Sequence, residues 1–280
     1  MQSLLQSAAL VLLGAAGAAA QAGASAPAEL VRLAFEADER SQALAEQYAY
    51  RERVEEIRLG KNGAVKGSDS KTYDVAHLCG RNYQRLILRD DKPLSADDDA
   101  KEQRKLDKCI VKIESESESD RDKRLRKEQE ELEDQRKMRL EVIRAFDFTI
   151  EGEELVAGEP AWRIRAEPKP DYEPEFKKAA FLSKLSGTIW ISKSDYGWVK
   201  TEVETIEPAK FGLFLLTLKK GAQMEFTQTK LNNELWMLDH IRLRFDARVL
   251  VAGVRREVLI HWSDFKKFSA ESRLVADENE

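Results

Sequence analysis

Apolar and polar residues alternate one by one through much of the chain, most cleanly across residues 187–204. Thr188-Ile189-Trp190-Ile191 is β-branched and aromatic, the composition that a pleated, half-buried strand favours. Ser194-Asp195-Tyr196-Gly197 supplies turn residues. Beyond Trp198 the alternation places Val199, Thr201, Val203 and Thr205 on one face and Lys200, Glu202 and Glu204 on the other. This pattern predicts a β-hairpin with a dry face and a wet face. It predicts further strands at 212–219, 222–230, 235–251 and 255–268, with turns at Lys219-Lys220-Gly221 and Asn232-Asn233. Upstream it predicts strands at 48–59, 64–79 and 83–89, turning at Lys61-Asn62-Gly63 and Gly80-Arg81-Asn82, then strands at 148–156 and 161–166. Pro168, Pro170 and Pro174 exclude regular structure from the next stretch, and 177–185 has room for one or two helical turns.

The period lengthens to that of a helix in two places. Across 27–46, Leu30, Leu33, Ala34, Ala37, Leu44 and Ala45 recur at helical spacing, with Pro27 suited to the first turn. Across 95–146 charged residues dominate and Gly and Pro are absent. Ser95 is a fitting N-cap with Asp97, Asp98 and Asp99 behind it. Leu106, Cys109, Ile110 and Ile113 form a narrow stripe, and 114–120 interrupts it as a polar loop. A second helix follows, with Leu125 and Leu132 as early apolar anchors and Met138, Leu140, Val142, Ile143 and Phe146 towards its end. The expected fold class is therefore α+β: an antiparallel half-open β-barrel with an N-terminal helix and an inserted charged helical hairpin. The expected domains are one half-barrel over 27–268 carrying the 95–146 insertion, a leader at 1–26 and a polar tail at 269–280.

Composition adds a compartment. Residues 1–26 carry no charged side chain, hold an apolar run at 4–13, and offer Ala18-Ala19-Ala20 and Ala24-Ser25-Ala26 as small-residue cleavage sites. This is the pattern of a secretory signal peptide, so the protein is expected in the periplasm or secreted, associated with the envelope, and not integral to a membrane after cleavage. Cys79 and Cys109 are the only cysteines, and in an oxidising compartment they are expected to form one disulfide. A formal net charge of -5 argues against nucleic acid as a partner.

A leading helix, a run of antiparallel strands and a Gly-x-Ile-Trp-Ile hairpin resemble the LolA/LolB-like superfamily of periplasmic lipoprotein-sorting and lipoprotein-receptor proteins. Gly187, Trp190, Ile191, Asp195, Val199, Lys200 and Glu202 carry the resemblance, and Gly221, Met224, Phe226 and Trp236 fall where a further hairpin of the family would lie. The resemblance implies a half-open barrel whose apolar space takes acyl chains. The superfamily also includes a regulator of envelope stress signalling.

The candidate lining residues are Ile189, Ile191, Val199, Val203, Phe214, Leu216, Met224, Phe226, Leu243, Phe245 and Trp262. All are equally explicable as core. The expected function is a carrier or receptor for lipid or lipoprotein acyl chains; the alternative is a scaffold docking an envelope protein through the charged helical hairpin.

No catalytic chemistry is legible, so no enzyme is expected. The chain holds no phosphate-binding glycine loop, nucleophile elbow or paired-histidine helix motif. His77, His240 and His261 lie far apart in sequence and are expected to be ordinary strand residues, leaving no metal or other cofactor to predict. Lys219-Lys220 and Arg255-Arg256 are expected to be solvated charges, with contact to anionic head groups as the alternative.

Overall fold

The computed structural model of the protein describes residues 26–211, 216–249 and 252–268. The leader, apart from Ala26, the tail at 269–280 and Phe214 lie outside the described residues. In chain order the elements are α1 (Ala26–Ala45), β1 (Tyr48–Leu59), β2 (Val65–Leu78), β3 (Arg81–Arg89), β4 (Lys92–Pro93), α2 (Ala96–Glu114), α3 (Glu118–Ala145), β5 (Phe146–Val156) and β6 (Glu159–Pro168). Two 3-10 turns (Lys177–Ala179 and Leu182–Lys184) lead to β7 (Leu185–Ser192), β8 (Trp198–Thr205), β9 (Ala209–Phe211), β10 (Leu216–Leu218), β11 (Gln223–Leu231), β12 (Leu235–Val249) and β13 (Ala252–Lys267).

The strands form one antiparallel sheet in the order β4-β3-β2-β1-β13-β12-β11-β8-β7-β6-β5, with the short β10 added to β12 and β9 to β10. The sheet is open: β4 and β5 are its two edges. The insertion runs between those edges, since α2 follows β4 and α3 precedes β5.

α1 packs across β5, β7 and β8 and reaches β12, where Ser41 Oγ accepts from the Trp236 N–H. Its innermost residues are Val31, Ala34, Ala37 and Ser41, a stripe rotated from the one expected, which omitted Val31 and counted Leu30 and Leu33. Small side chains win the inner positions because they let the helix approach the pleated surface closely. The core beneath it joins Val31 and Ala34 to Ile164, Leu182, Leu185, Ile189 and Ile191, and the last turns of α3 add Met138, Val142 and Ile143. β7 is buried along its whole length, not on one face only, because Trp190 is covered on the far face by Lys200 and Glu154.

The insertion follows the expected pattern at the Ser95 cap and departs from it at the start of α3, which begins at Glu118 inside the expected loop, and on its surface. Ser95 accepts from the Asp98 N–H, and Ser117 caps α3 through the Asp120 N–H. Leu125 and Leu132, expected as anchors, are 46% and 53% exposed, and Leu140 is exposed with them. α2 is fastened to the β2–β3 hairpin by the Cys79–Cys109 disulfide and the Arg85–Asp99 ion pair at 2.8 Å. α3 is fastened to α1 through Arg139 with Asp38 and Glu39, and to the 3-10 segment through Lys178 and Asp134. Each helix is therefore tied to a different end of the sheet.

Candidate ligand-binding face

The strand registers line up two apolar rows on the face that carries α1. One row runs Ile150, Ile164, Ile189, Thr201, Phe226, Ile241, Ile260 and Val54 across β5, β6, β7, β8, β11, β12, β13 and β1. The other runs Phe148, Ala166, Gly187, Val203, Met224, Leu243 and Val258 before meeting Glu56. Directly opposed residues in neighbouring strands share a face, so each row is a continuous ridge. Ile164 and Ile189, beneath the helices, are 0% and 6% exposed. Val203, Met224, Phe226, Ile241, Leu243, Val258, Ile260 and Val54 are only half-buried. The rows thus leave the core under α1 and emerge on the middle of the sheet.

Beyond that middle, α2 covers the far end of the face. Glu102 is buried there beside Lys105, and a recess of about 590 Å³ lies between α2 and β2–β3, lined by Tyr73, Gln84, Leu86, Glu102 and Lys105. Glu52 marks the border between apolar floor and polar recess. Its carboxylate accepts from Trp262 Nε1 at 3.0 Å and from Gln84 Nε2 at 3.0 Å. Burial pushes the Glu52 carboxyl above the usual range, and the Trp262 bond offsets part of that.

The β7–β8 turn holds one end of the floor in place. Asp195 accepts from Gly197 N–H at 3.1 Å and from Trp236 Nε1 at 3.1 Å, and pairs with Lys230 at 2.7 Å. Burial alone would raise the Asp195 carboxyl, but the bonds from Lys230, Gly197 and Trp236 outweigh it and hold the group below its ordinary value. Gly197 is required by close approach, since a Cβ there would fall inside the Trp236 indole. Gly187 has the same role in the second row, where a Cβ would lie 2.5 Å from the Glu202 carbonyl oxygen.

The opposite face is polar. A recess of about 530 Å³ there is lined by Arg165, Thr188, Glu202, Glu204, Gln223, Arg242 and Arg244. Charged side chains of both signs make it unsuited to an acyl chain.

The expected lining residues divide into groups. Val203, Met224, Phe226 and Leu243 come together in the half-buried rows. Ile189 and Ile191 are core under α1. A register shift at Trp190/Ile191 takes Val199 out of simple alternation with Val203, and it packs with Ala161, Trp190 and Trp236. Phe245 packs with Leu218, Ala222 and Ala247, and Trp262 is buried against Glu52. Leu216 lies in β10, and its side chain is outside the described residues. Ile241, Val258 and Ile260 were missed, although alternation within 235–249 and 252–267 carries the signal, and Val54 of β1 was missed with them. Of the basic pairs, Arg255 is engaged by Asp246 and the Gly60 carbonyl oxygen. His240 and His261, distant in sequence, are directly opposed across β12 and β13.

No family model matches the chain, and no curated protein matches it. Among solved structures, a DUF1329 family protein from Desulfovibrio piger aligns over 89% of this chain and 95% of its own at 15% identity and a TM-score of 0.31. An outer membrane lipoprotein-sorting protein domain from Vibrio parahaemolyticus aligns over 87% and 94% at 11% identity and a TM-score of 0.31. A LolA superfamily protein from Nitrosomonas europaea aligns over 84% and 94% at 12% identity and a TM-score of 0.28. At these identities and scores the alignments carry no argument about the family or the function of this chain.

Proposed function

We propose that the protein binds lipid or lipoprotein acyl chains on the half-buried apolar rows of its open sheet, as a non-enzymatic carrier or receptor of the bacterial envelope. The observation that carries this reading is the continuation of the core rows from beneath α1 onto β11, β12, β13 and β1, where their residues are only half-buried. A contiguous apolar floor between helical rims offers an acyl chain about 0.8 kcal/mol per buried methylene. The Cys79–Cys109 disulfide supports an oxidising compartment, and the uncharged, Ala-rich leader supports export to the periplasm. Among the described residues no helix is long and apolar enough to cross a membrane.

Displacement of a fluorescent fatty acid tests the reading. Met224→Asp and Phe226→Asp place an unpaired charge on the floor and should each weaken uptake at least tenfold, with the fold retained by circular dichroism. If the folded wild type takes up no acyl ligand, the reading is lost.

The exposed Ile110, Val111, Leu125, Leu132 and Leu140 favour a second reading, in which the insertion docks an envelope protein. Replacing Leu125 and Leu132 with Ser should then abolish partner capture from an envelope extract and leave acyl uptake unchanged. Unchanged capture counts against docking.

A further inference from the structure

On the polar face of the sheet, behind the apolar rows, β12 carries a bulge. Thr227 of β11 opposes His240 and Gln228 opposes Leu238, so Asp239 is the extra residue. Strict alternation would send Asp239 and His240 to opposite faces; the bulge turns both the same way. The Asp239 carboxylate lies 2.7 Å from His240 Nδ1. The β12–β13 register then sets His261 directly across from His240, and the two rings stack with centroids 4.2 Å apart. His261 Nδ1 also lies 3.2 Å from the Asp239 carbonyl oxygen. One ligand atom from each of Asp239, His240 and His261 can be chosen so that all lie within 4.8 Å of one another.

We propose that Asp239, His240 and His261 form a binding site for a divalent transition-metal ion of the zinc, nickel or copper class. Imidazole nitrogens with one carboxylate suit these ions, whereas magnesium and calcium favour oxygen ligands throughout. A tetrahedral ion with bonds of about 2.0–2.1 Å holds its ligands roughly 3.4 Å apart, so the site closes by rotation of the three partly exposed side chains out of their present mutual contacts. The charge facing His261 does not prevent this. Arg53, its partner on β1, is already engaged by Asp91 at 2.8 Å and by Glu55 at 2.8 Å. The two histidines also border a recess of about 510 Å³, which leaves room for water or an outside ligand to complete the coordination. An ion here would tie β12 to β13 at a point where the bulge interrupts the ladder between β11 and β12.

Calorimetric titration of the untagged full chain with zinc chloride and with nickel chloride, after removal of metals with EDTA, tests the site. One ion per chain is expected, with a rise in Tm because the native state alone presents the three ligands together. His240→Ala and His261→Ala should each weaken binding at least tenfold, Asp239→Asn should weaken it, and His77→Ala should not. Absence of stoichiometric binding by the folded wild type overturns the assignment, as does less than a tenfold loss in both histidine variants. These outcomes are separate from acyl uptake, which belongs to the other face.

Discussion

Gly197 and Glu141 show how single residues hold the frame of the fold. Gly197 has no Cβ because the Trp236 indole occupies its place, and the same indole donates to Asp195. Gly197→Ala should destabilise the protein by about 1–3 kcal/mol through overpacking, with a shift in Trp fluorescence as the indole moves. Urea unfolding checks this, and an unchanged midpoint would refute the close-approach argument. Glu141 is a buried carboxylate on α3. It accepts from Tyr172 Oη at 2.6 Å and from the N–H groups of Glu175 and Phe176 at 3.0 and 2.9 Å, fixing the irregular 172–176 segment to the helix. Burial pushes its carboxyl up, but the bonds from Tyr172 and Phe176 and the Arg144 charge outweigh that and hold it below the ordinary glutamate value. A depressed folded value means stability that is complete above the unfolded glutamate range of about 4.3 and is lost as pH falls through the folded value. Denaturation midpoints should therefore drop below about pH 4.3, and Glu141→Gln should lower stability at neutral pH and flatten this acid limb.

Among the elements, the β2–β3 hairpin and α2 depend on each other. The hairpin turns through Cys79 and Gly80, with φ of 54° and 68°, and not through Gly80-Arg81-Asn82 as the turn residues suggested. Positive φ at both central residues is what a two-residue hairpin turn requires, because its twist then matches that of the strands. The turn presents Cys79 to Cys109 on α2 across a separation of 30 residues, with Cα atoms 6.1 Å apart. Cys109 lies towards the far end of α2, so the bridge fixes the body of the helix and not only its base. Loop-closure entropy for a ring of this size gives about 3–4 kcal/mol. Cys79→Ser with Cys109→Ser should cost that much in urea unfolding. Thiol labelling of the unfolded, unreduced wild type should be negative; labelling of both residues would exclude the bridge.

At the scale of the molecule, the connection of the two sheet edges by α2 and α3 makes the apolar floor a bounded surface. From β8 across β11, β12 and β13 to β1 the strand spacing gives a floor of about 19 Å, a length suited to a long-chain fatty acid. Affinity should then rise with acyl length, by up to roughly fourfold per methylene, while the chain is shorter than the floor, and level off beyond it. Displacement titrations with a series of saturated fatty acids check this. An affinity independent of chain length would separate binding from the apolar rows.

The long strands, the two helical regions and the Ser95 cap were legible in the chain, because each rests on interactions a few residues apart. Alternation named Val203, Met224, Phe226 and Leu243 as members of one dry face, since side-chain direction along a strand is a local property. Alternation could not say which part of that face α1 would seal, because Val31 meets Ile164 and Ile189 only after distant strands have paired. Nor could it foresee the register shift that removes Val199 from its row, or the bulge that turns Asp239 towards His240. Registers and bulges are settled by the partner strand, and β1 finds β13 at the opposite end of the chain. What the sequence by itself determined is therefore the kind of each segment and the face of most side chains. Which faces meet, which remain open, and which of the histidines become neighbours were decided by the long-range pairing of the sheet.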